Sequence, residues 1–148
     1  MANFEKILVP VDFSAYSAEA VRLAADLAQQ YHGSITLVHV YDPLPYALPP
    51  EYDMFTSEQE ARLTREFEKR LAVAKGAAES AGAQRVEARL LHGLPSAAIL
   101  DAARSGQFDL IVMGTRGRTG IKHALLGSVA ERVLRNAPCP VLTAKATE

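Results

Sequence analysis

Cysteine occurs once in this chain of 148 residues, at Cys139 in "APCPV". A lone thiol closes no internal disulfide, so a disulfide-stapled scaffold is excluded and a reducing compartment is expected. The flanking prolines suggest a tight turn ahead of a strand. A small buried side chain is the expected role of Cys139 there, and a reactive thiol is the alternative. Charge of one sign is equally scarce. The formal net charge is -1, which provides no broad field to draw the protein to nucleic acid or to an anionic membrane. Arg116 to Arg118 forms a local basic cluster rather than a basic face. No stretch approaches the roughly 20 consecutive apolar residues of a membrane helix, and the apolar run near Met1 is too short for a secretory leader. The expectation is a cytoplasmic protein with neither a nucleic-acid nor a membrane partner. Internal repeats and low-complexity tracts are also missing. What remains is 49% hydrophobic and 22% charged, an ordinary globular composition long enough for one domain, residues 1–148, with a substantial core.

The apolar residues are arranged in alternating patterns. "KILVPV" (Lys6 to Val11) is continuous rather than alternating, as in a strand covered on both faces. After it, Val21, Ala24, Ala28 and Tyr31 recur at helical spacing, with Leu23 and Leu27 widening the stripe. Ser14 is placed to cap this helix, and Gly33 stands where a left-handed residue would end it. "SITLVHV" (Ser34 to Val40) reads as the second strand. "YDPLPYALPPEYDMFT" then holds four of the eight prolines, which excludes a helix or strand through it. Residues 41–56 are therefore a lid or a long connector. Helix resumes at Ser57, which has capping-box spacing to Glu60. Leu63, Phe67, Leu71, Ala74, Ala78 and Ala81 line one face, Glu58 with Arg62 and Glu66 with Arg70 form i,i+4 pairs, and Gly82 stops the run. Arg85 to Gly93 alternates, as at a sheet edge. A short helix ends at Gly106, "DLIVMG" is a second doubly buried strand, and "SVAERVLRNA" is a helix with Ala130, Val133, Leu134 and Ala137 inward. "PVLTAK" is the last strand. The order β-α-β-α-β-α-β-α-β implies a parallel sheet with right-handed crossovers and helices on both faces.

The stretch "GTRGRTGIKHALLGS" leaves the second buried strand with glycines at Gly114, Gly117 and Gly127. In open α/β sheets, ligands bind beyond the carboxyl ends of the strands. Glycine there lets backbone N–H groups approach a ligand. Ser128 opens the next helix with capping-box spacing to Glu131, and the free N–H groups of that first turn make an anion site. Arg116, Arg118, Lys122 and His123 add positive charge. Phosphate is the natural anion for this array; a plain glycine loop followed by a serine cap is the alternative. The loop is neither a Walker A loop nor G-x-G-x-x-G.

Its spacing is G-x2-G-x9-G-[ST], counted at Gly114, Gly117, Gly127 and Ser128. Together with "KILVPVDFS", "DLIVMGTRG" and "LLGSVAERVLRNAPCPVL", it resembles the universal stress protein family over nearly the whole chain. The resemblance implies an open five-stranded parallel sheet of order 3-2-1-4-5 with helices on both faces, the adenine nucleotide α-hydrolase-like arrangement. It implies binding of ATP, or of ADP or AMP, with magnesium. Carried over by position, Gly114, Arg116, Gly117, Gly127, Ser128 and Val129 would meet phosphate and ribose. Pro10, Val11, Asp12, Val40 and Met113 would meet the adenosine. It further implies a homodimer through the final strand, Pro140 to Lys145, whose unpaired edge invites a second copy.

Asp12 can accept from an adenine amine or a ribose hydroxyl; capping the first helix is its other reading. His39, inside the second strand, is either a satisfied core histidine or a ligand. His92 and His123 are isolated, and no paired His/Cys cluster has metal spacing. No nucleophile–base pair accompanies the glycines, so the expected role is a stress-response protein with slow or absent hydrolysis. Two alternatives stand beside it. One is an interaction module with a non-ATP ligand or vestigial pocket. The other is an enzyme of the adenine nucleotide α-hydrolase-like group, although the S-G-G and H-I-G-H signatures of such enzymes are missing.

Overall fold

A computed structural model describes residues 3–42, 57–116 and 126–146. Five strands alternate with four helices: β1 Lys6–Pro10, α1 Ala15–Tyr31, β2 Ser34–Tyr41, α2 Ser57–Ser80, β3 Arg85–His92, α3 Pro95–Ser105, β4 Leu110–Gly114, α4 Ser128–Asn136 and β5 Val141–Ala144. The strands form one all-parallel sheet of order β3-β2-β1-β4-β5. β1 and β4 are central and read as unbroken apolar runs because both their faces are covered. Ile7, Leu8, Val9, Ile111 and Val112 are fully buried. β3, at one edge, keeps the alternation seen in its sequence.

Two hydrophobic layers flank the sheet. On one face α1 and α2 bury Ala20, Ala24, Ala25, Leu71 and Ala78 against Ile7, Val9, Ile35 and Leu37. On the other face α3 and α4 bury Ile99, Ala103, Ala130 and Val133 against Leu8, Val38 and Ile111. Small alanines dominate the α1 contact, so this helix lies close to the strands beneath it. None of the helices among the described residues is long and apolar enough to cross a membrane.

Several local expectations hold. The Ser14 hydroxyl accepts from the Ser17 N–H at 3.2 Å and caps α1. Arg70 and Glu66 pair at 3.5 Å on the exposed side of α2. Others need correction. The left-handed residue that ends α1 is His32 (φ 57°), not Gly33. Gly33 is required for closeness instead, because a Cβ there would stand 2.4 Å from the Phe4 carbonyl oxygen. Leu134 does not face inward; it is 49% exposed. α4 is only nine residues long, and Ala130 and Val133 already fill its buried stripe, which leaves Leu134 on the flank. Cys139 is a free, half-buried thiol packed against the α3/α4 layer. Burial, followed by the charge of Asp109, raises its pKa and disfavours the thiolate.

Candidate functional site

The crossovers that leave β1 and enter β4 run on opposite faces of the sheet. A crevice therefore opens at the carboxyl ends of these two strands, the switch point of the topology. It forms a cleft of about 520 Å³. Pro10, Val11 and Asp12 bring the end of β1 to it, and Val40 the end of β2. Met113 and Gly114 come from the end of β4, Arg116 from just beyond it, and Gly127, Ser128 and Val129 from the start of α4. Gly117, Arg118, Lys122 and His123 lie outside the described residues.

The apolar half of the cleft comes from strand ends. β1 stops at Pro10, opposite Val38, and the Val11 N–H makes one more bond to the Val38 carbonyl oxygen at 2.8 Å. Backbone groups alternate in direction along a strand. Val38 faces β1, so Val40 faces the same way, beyond the point where β1 has ended. Its N–H and C=O are directed into the cleft as an adjacent donor and acceptor. Val38, Ile99, Met113 and Leu126 surround that edge with apolar surface.

The polar half is the amino end of α4. The capping box expected at Ser128 is not formed. Gly127 is the N-cap, Ser128 is the first helical residue, and no side chain caps the turn. Two physical readings of the glycines change with this. The Gly127 N–H is already committed to the Thr115 carbonyl oxygen at 2.6 Å, and its φ of -72° is open to any residue. The Glu131 N–H closes the first helical bond to the Gly127 carbonyl. The donors left over for a ligand are those of Ser128, Val129 and Ala130, which no intrahelical bond can satisfy. Gly114 serves packing: a Cβ there would lie 2.7 Å from Tyr16 Cβ and 2.9 Å from the Tyr16 carbonyl carbon. Glycine thus lets β4 and α1 touch.

Charged side chains at the cleft are held in place. An Asp12 carboxylate oxygen accepts from the Ser14 N–H at 3.0 Å. Asp12 does not cap α1, whose N-cap is Ser14; it braces the turn ahead of that cap while also lining the cleft. Arg116 lies across the Tyr16 ring, 5.9 Å from its centroid, with Nη1 3.5 Å from the phenol oxygen. Glu131 reaches the cleft and pairs with Arg135 at 2.8 Å. His39 is a satisfied core histidine, its Nδ1 2.8 Å from the Val11 carbonyl oxygen, yet it also lines the cleft.

Sequence reasoning missed Ser17, Pro95, Ile99, Thr115 and Glu131 as lining residues. Ser17 carried a readable signal, a polar residue four positions before Val21 on the buried stripe of α1. Pro95 and Ile99 had none, because α3 reaches the cleft only after crossing to the other face of the sheet.

The universal stress protein family model matches residues 3–145. A universal stress protein of Methanocaldococcus jannaschii is 37% identical over 142 residues, covering 96% of this chain and 82% of the relative. Among solved structures, universal stress protein UspA from Lactobacillus plantarum superposes with a TM-score of 0.86 at 27% identity, over 97% of this chain and 99% of that one. A universal stress protein from Archaeoglobus fulgidus in complex with dAMP matches with a TM-score of 0.68 at 25% identity, over 98% of this chain and 100% of that one. A further universal stress protein, solved in complex with cAMP, matches with a TM-score of 0.74 at 26% identity, over 98% and 99% of the two chains. Both the coverage and the sheet order agree: this chain belongs to the universal stress protein family.

Proposed function

We propose that this protein binds an adenine nucleotide in the β1/β4 cleft, ATP first, with ADP and AMP as relatives. In this reading it acts as a cytoplasmic stress-response protein that reports nucleotide state rather than as an efficient catalyst. The observation that carries the reading is the pairing of two complementary ends in one cleft. At one end the Val40 backbone offers a donor beside an acceptor between apolar walls. That suits the edge of a planar base carrying an amine next to a ring nitrogen. At the other end α4 offers uncapped N–H groups with its dipole behind them, which suits phosphate. The cAMP and dAMP held by two solved relatives are ligands of the same chemistry.

In this reading magnesium enters the cleft with the nucleotide. Among the described residues no cluster of three or more histidine, cysteine or carboxylate groups could hold a metal by itself. Phosphate oxygens and water would supply most of its ligands, as is usual for this ion. Binding phosphates is not hydrolysis, which also needs an aligned water. The expected turnover is therefore far below the median enzyme rate of roughly 10 per second.

A homodimer through β5 belongs to the same reading. β5 is the outer strand of the sheet, and Leu134 and Leu142 leave apolar surface beside it. The test of the ligand is calorimetry with ATP, ADP, AMP and cAMP, with and without magnesium, alongside thermal unfolding. Ligand at 100 times its dissociation constant should stabilise the fold by about 2.7 kcal/mol. The absence of both heat and a thermal shift with all four nucleotides at millimolar concentration would rule the reading out.

A further inference from the structure

Beyond the last sheet bond, from the Val11 N–H to the Val38 carbonyl oxygen, the turn that carries Asp12 into the cleft is held by buried side chains. The Val11 carbonyl lies beyond the last β1 register pair and accepts from His39 Nδ1 at 2.8 Å. A carbonyl only accepts, so Nδ1 carries the proton in this bond. On the other side of the same peptide unit, the Asp12 N–H reaches Ser17 Oγ at 3.4 Å. Both side chains are nearly inaccessible, Ser17 at 4% and His39 at 9%. The imidazole is itself fixed by Phe13 and Phe67, each ring 4.6 Å from it between centroids. Phe13 follows Asp12 with φ 66°, a left-handed conformation that is a genuine outlier for a bulky residue. Such outliers persist only where the surroundings over-determine them, and here the hydrogen bond and the ring stack do so.

We infer that His39 is a positioning residue for the nucleotide cleft: it orients the Val11–Asp12 peptide and so aims the Asp12 carboxylate at the ligand. The inference rests on the nucleotide reading above and adds the group that sets the geometry of that site. His39 need not touch the nucleotide. It acts through Asp12, and its contribution should vanish when the Asp12 carboxylate is gone.

The test is calorimetry with ATP and magnesium on the wild type, His39→Leu, His39→Asn, Asp12→Asn and the double variant His39→Leu/Asp12→Asn. His39→Leu should weaken ATP about tenfold. His39→Asn, whose amide can donate from nearly the same place, should stay within about threefold of wild type. In the Asp12→Asn background, His39→Leu should add less than about twofold, the coupling expected of groups that act as one. Unchanged ATP affinity in His39→Leu, no rescue by asparagine, or losses that multiply in the double variant would each overturn the inference. If His39→Leu does not fold, Ser17→Ala takes its place, because it releases the other end of the same peptide. It should lower ATP affinity about threefold, and no change would count against the inference. Failure of the wild type to bind ATP would sink the nucleotide reading and this one together, whereas ATP binding with indifferent variants would sink this one alone.

Discussion

The backbone N–H of Gly127 donates to the carbonyl oxygen of Thr115 at 2.6 Å. This bond joins the two ends of the loop between β4 and α4 and moves the candidate anion site one residue along, to the N–H groups of Ser128, Val129 and Ala130. It separates two effects that a glycine motif alone merges, backbone freedom and space for a ligand.

Substitutions at Gly127 and Ser128 should therefore act on ligand rather than on fold. With φ -72°, Gly127→Ala keeps an allowed backbone, and its ligand-free stability should stay within about 0.5 kcal/mol of wild type. In the nucleotide reading an added Cβ would stand beside the phosphate path at this cleft-lining position, and ATP affinity should fall roughly tenfold, about 1.4 kcal/mol; Gly127→Val should lose more. Ser128→Ala removes no cap, since Ser128 is the first helical residue, and so should lack the ~1 kcal/mol stability cost of a lost N-cap. Denaturant unfolding and ATP titration of the same samples check both. Lost stability without lost affinity would reverse the assignment.

Gly114 should behave in the opposite way. Added carbon meets Tyr16 Cβ at 2.7 Å and Tyr16 backbone at 2.9 Å, and backbone cannot rotate aside. Gly114→Ala should destabilise the ligand-free protein by about 1–3 kcal/mol, the usual range for overpacking. A midpoint of urea unfolding equal to wild type would show that β4 and α1 separate freely.

The direction of each backbone group in β5 makes proline substitution diagnostic. The Ile111 N–H bonds to the Pro140 carbonyl oxygen and the Thr115 N–H to the Ala144 carbonyl oxygen. Even-numbered residues of β5 therefore face β4, and odd-numbered ones face outward. Leu142→Pro should break the ladder to β4 and weaken the fold. Thr143→Pro should leave the fold intact, remove an outward donor and yield a monomer. Light scattering at micromolar concentration distinguishes these outcomes. A wild type that already runs as a monomer of 16.0 kDa would end the dimer proposal.

Cys139 should react slowly. Burial and the Asp109 charge raise its pKa, so at pH 8 less of it is thiolate than in a free cysteine, and the thiolate is the nucleophile. Alkylation by iodoacetamide should be slower than that of an unstructured cysteine peptide at the same pH, and should become equal to it in denaturant. Equal rates in the native protein would show an accessible thiol.

The alternating order of elements, the buried stripes of α1 and α2 and the sheet end where the candidate cleft opens were legible in the chain, whereas the inward placing of Leu134 on α4 was not borne out. Each of the legible features is written in local periodicity. "KILVPV" and "DLIVMG" lack alternation because both faces are covered. Arg85 to Gly93 alternates because one face is not. "GTRG" follows a buried strand and therefore falls at a carboxyl end. Such patterns report how a residue faces its neighbours a few positions away, and the resemblance to a family supplied the strand order on top of them.

What the tertiary structure decided are relations between residues far apart along the chain. Gly114 is needed for Tyr16, Gly33 for Phe4, and the Gly127 N–H is taken by Thr115. Each pair is close only because strands and helices from distant segments were brought together, and nothing in the spacing of glycines tells a packing contact from a ligand contact. The same holds for His39, whose imidazole meets the Val11 carbonyl across 28 residues of chain. His32 is a local exception, its left-handed turn replacing the one expected at Gly33. Periodicity specifies which side of an element is buried. Only the assembled sheet specifies what each buried group touches.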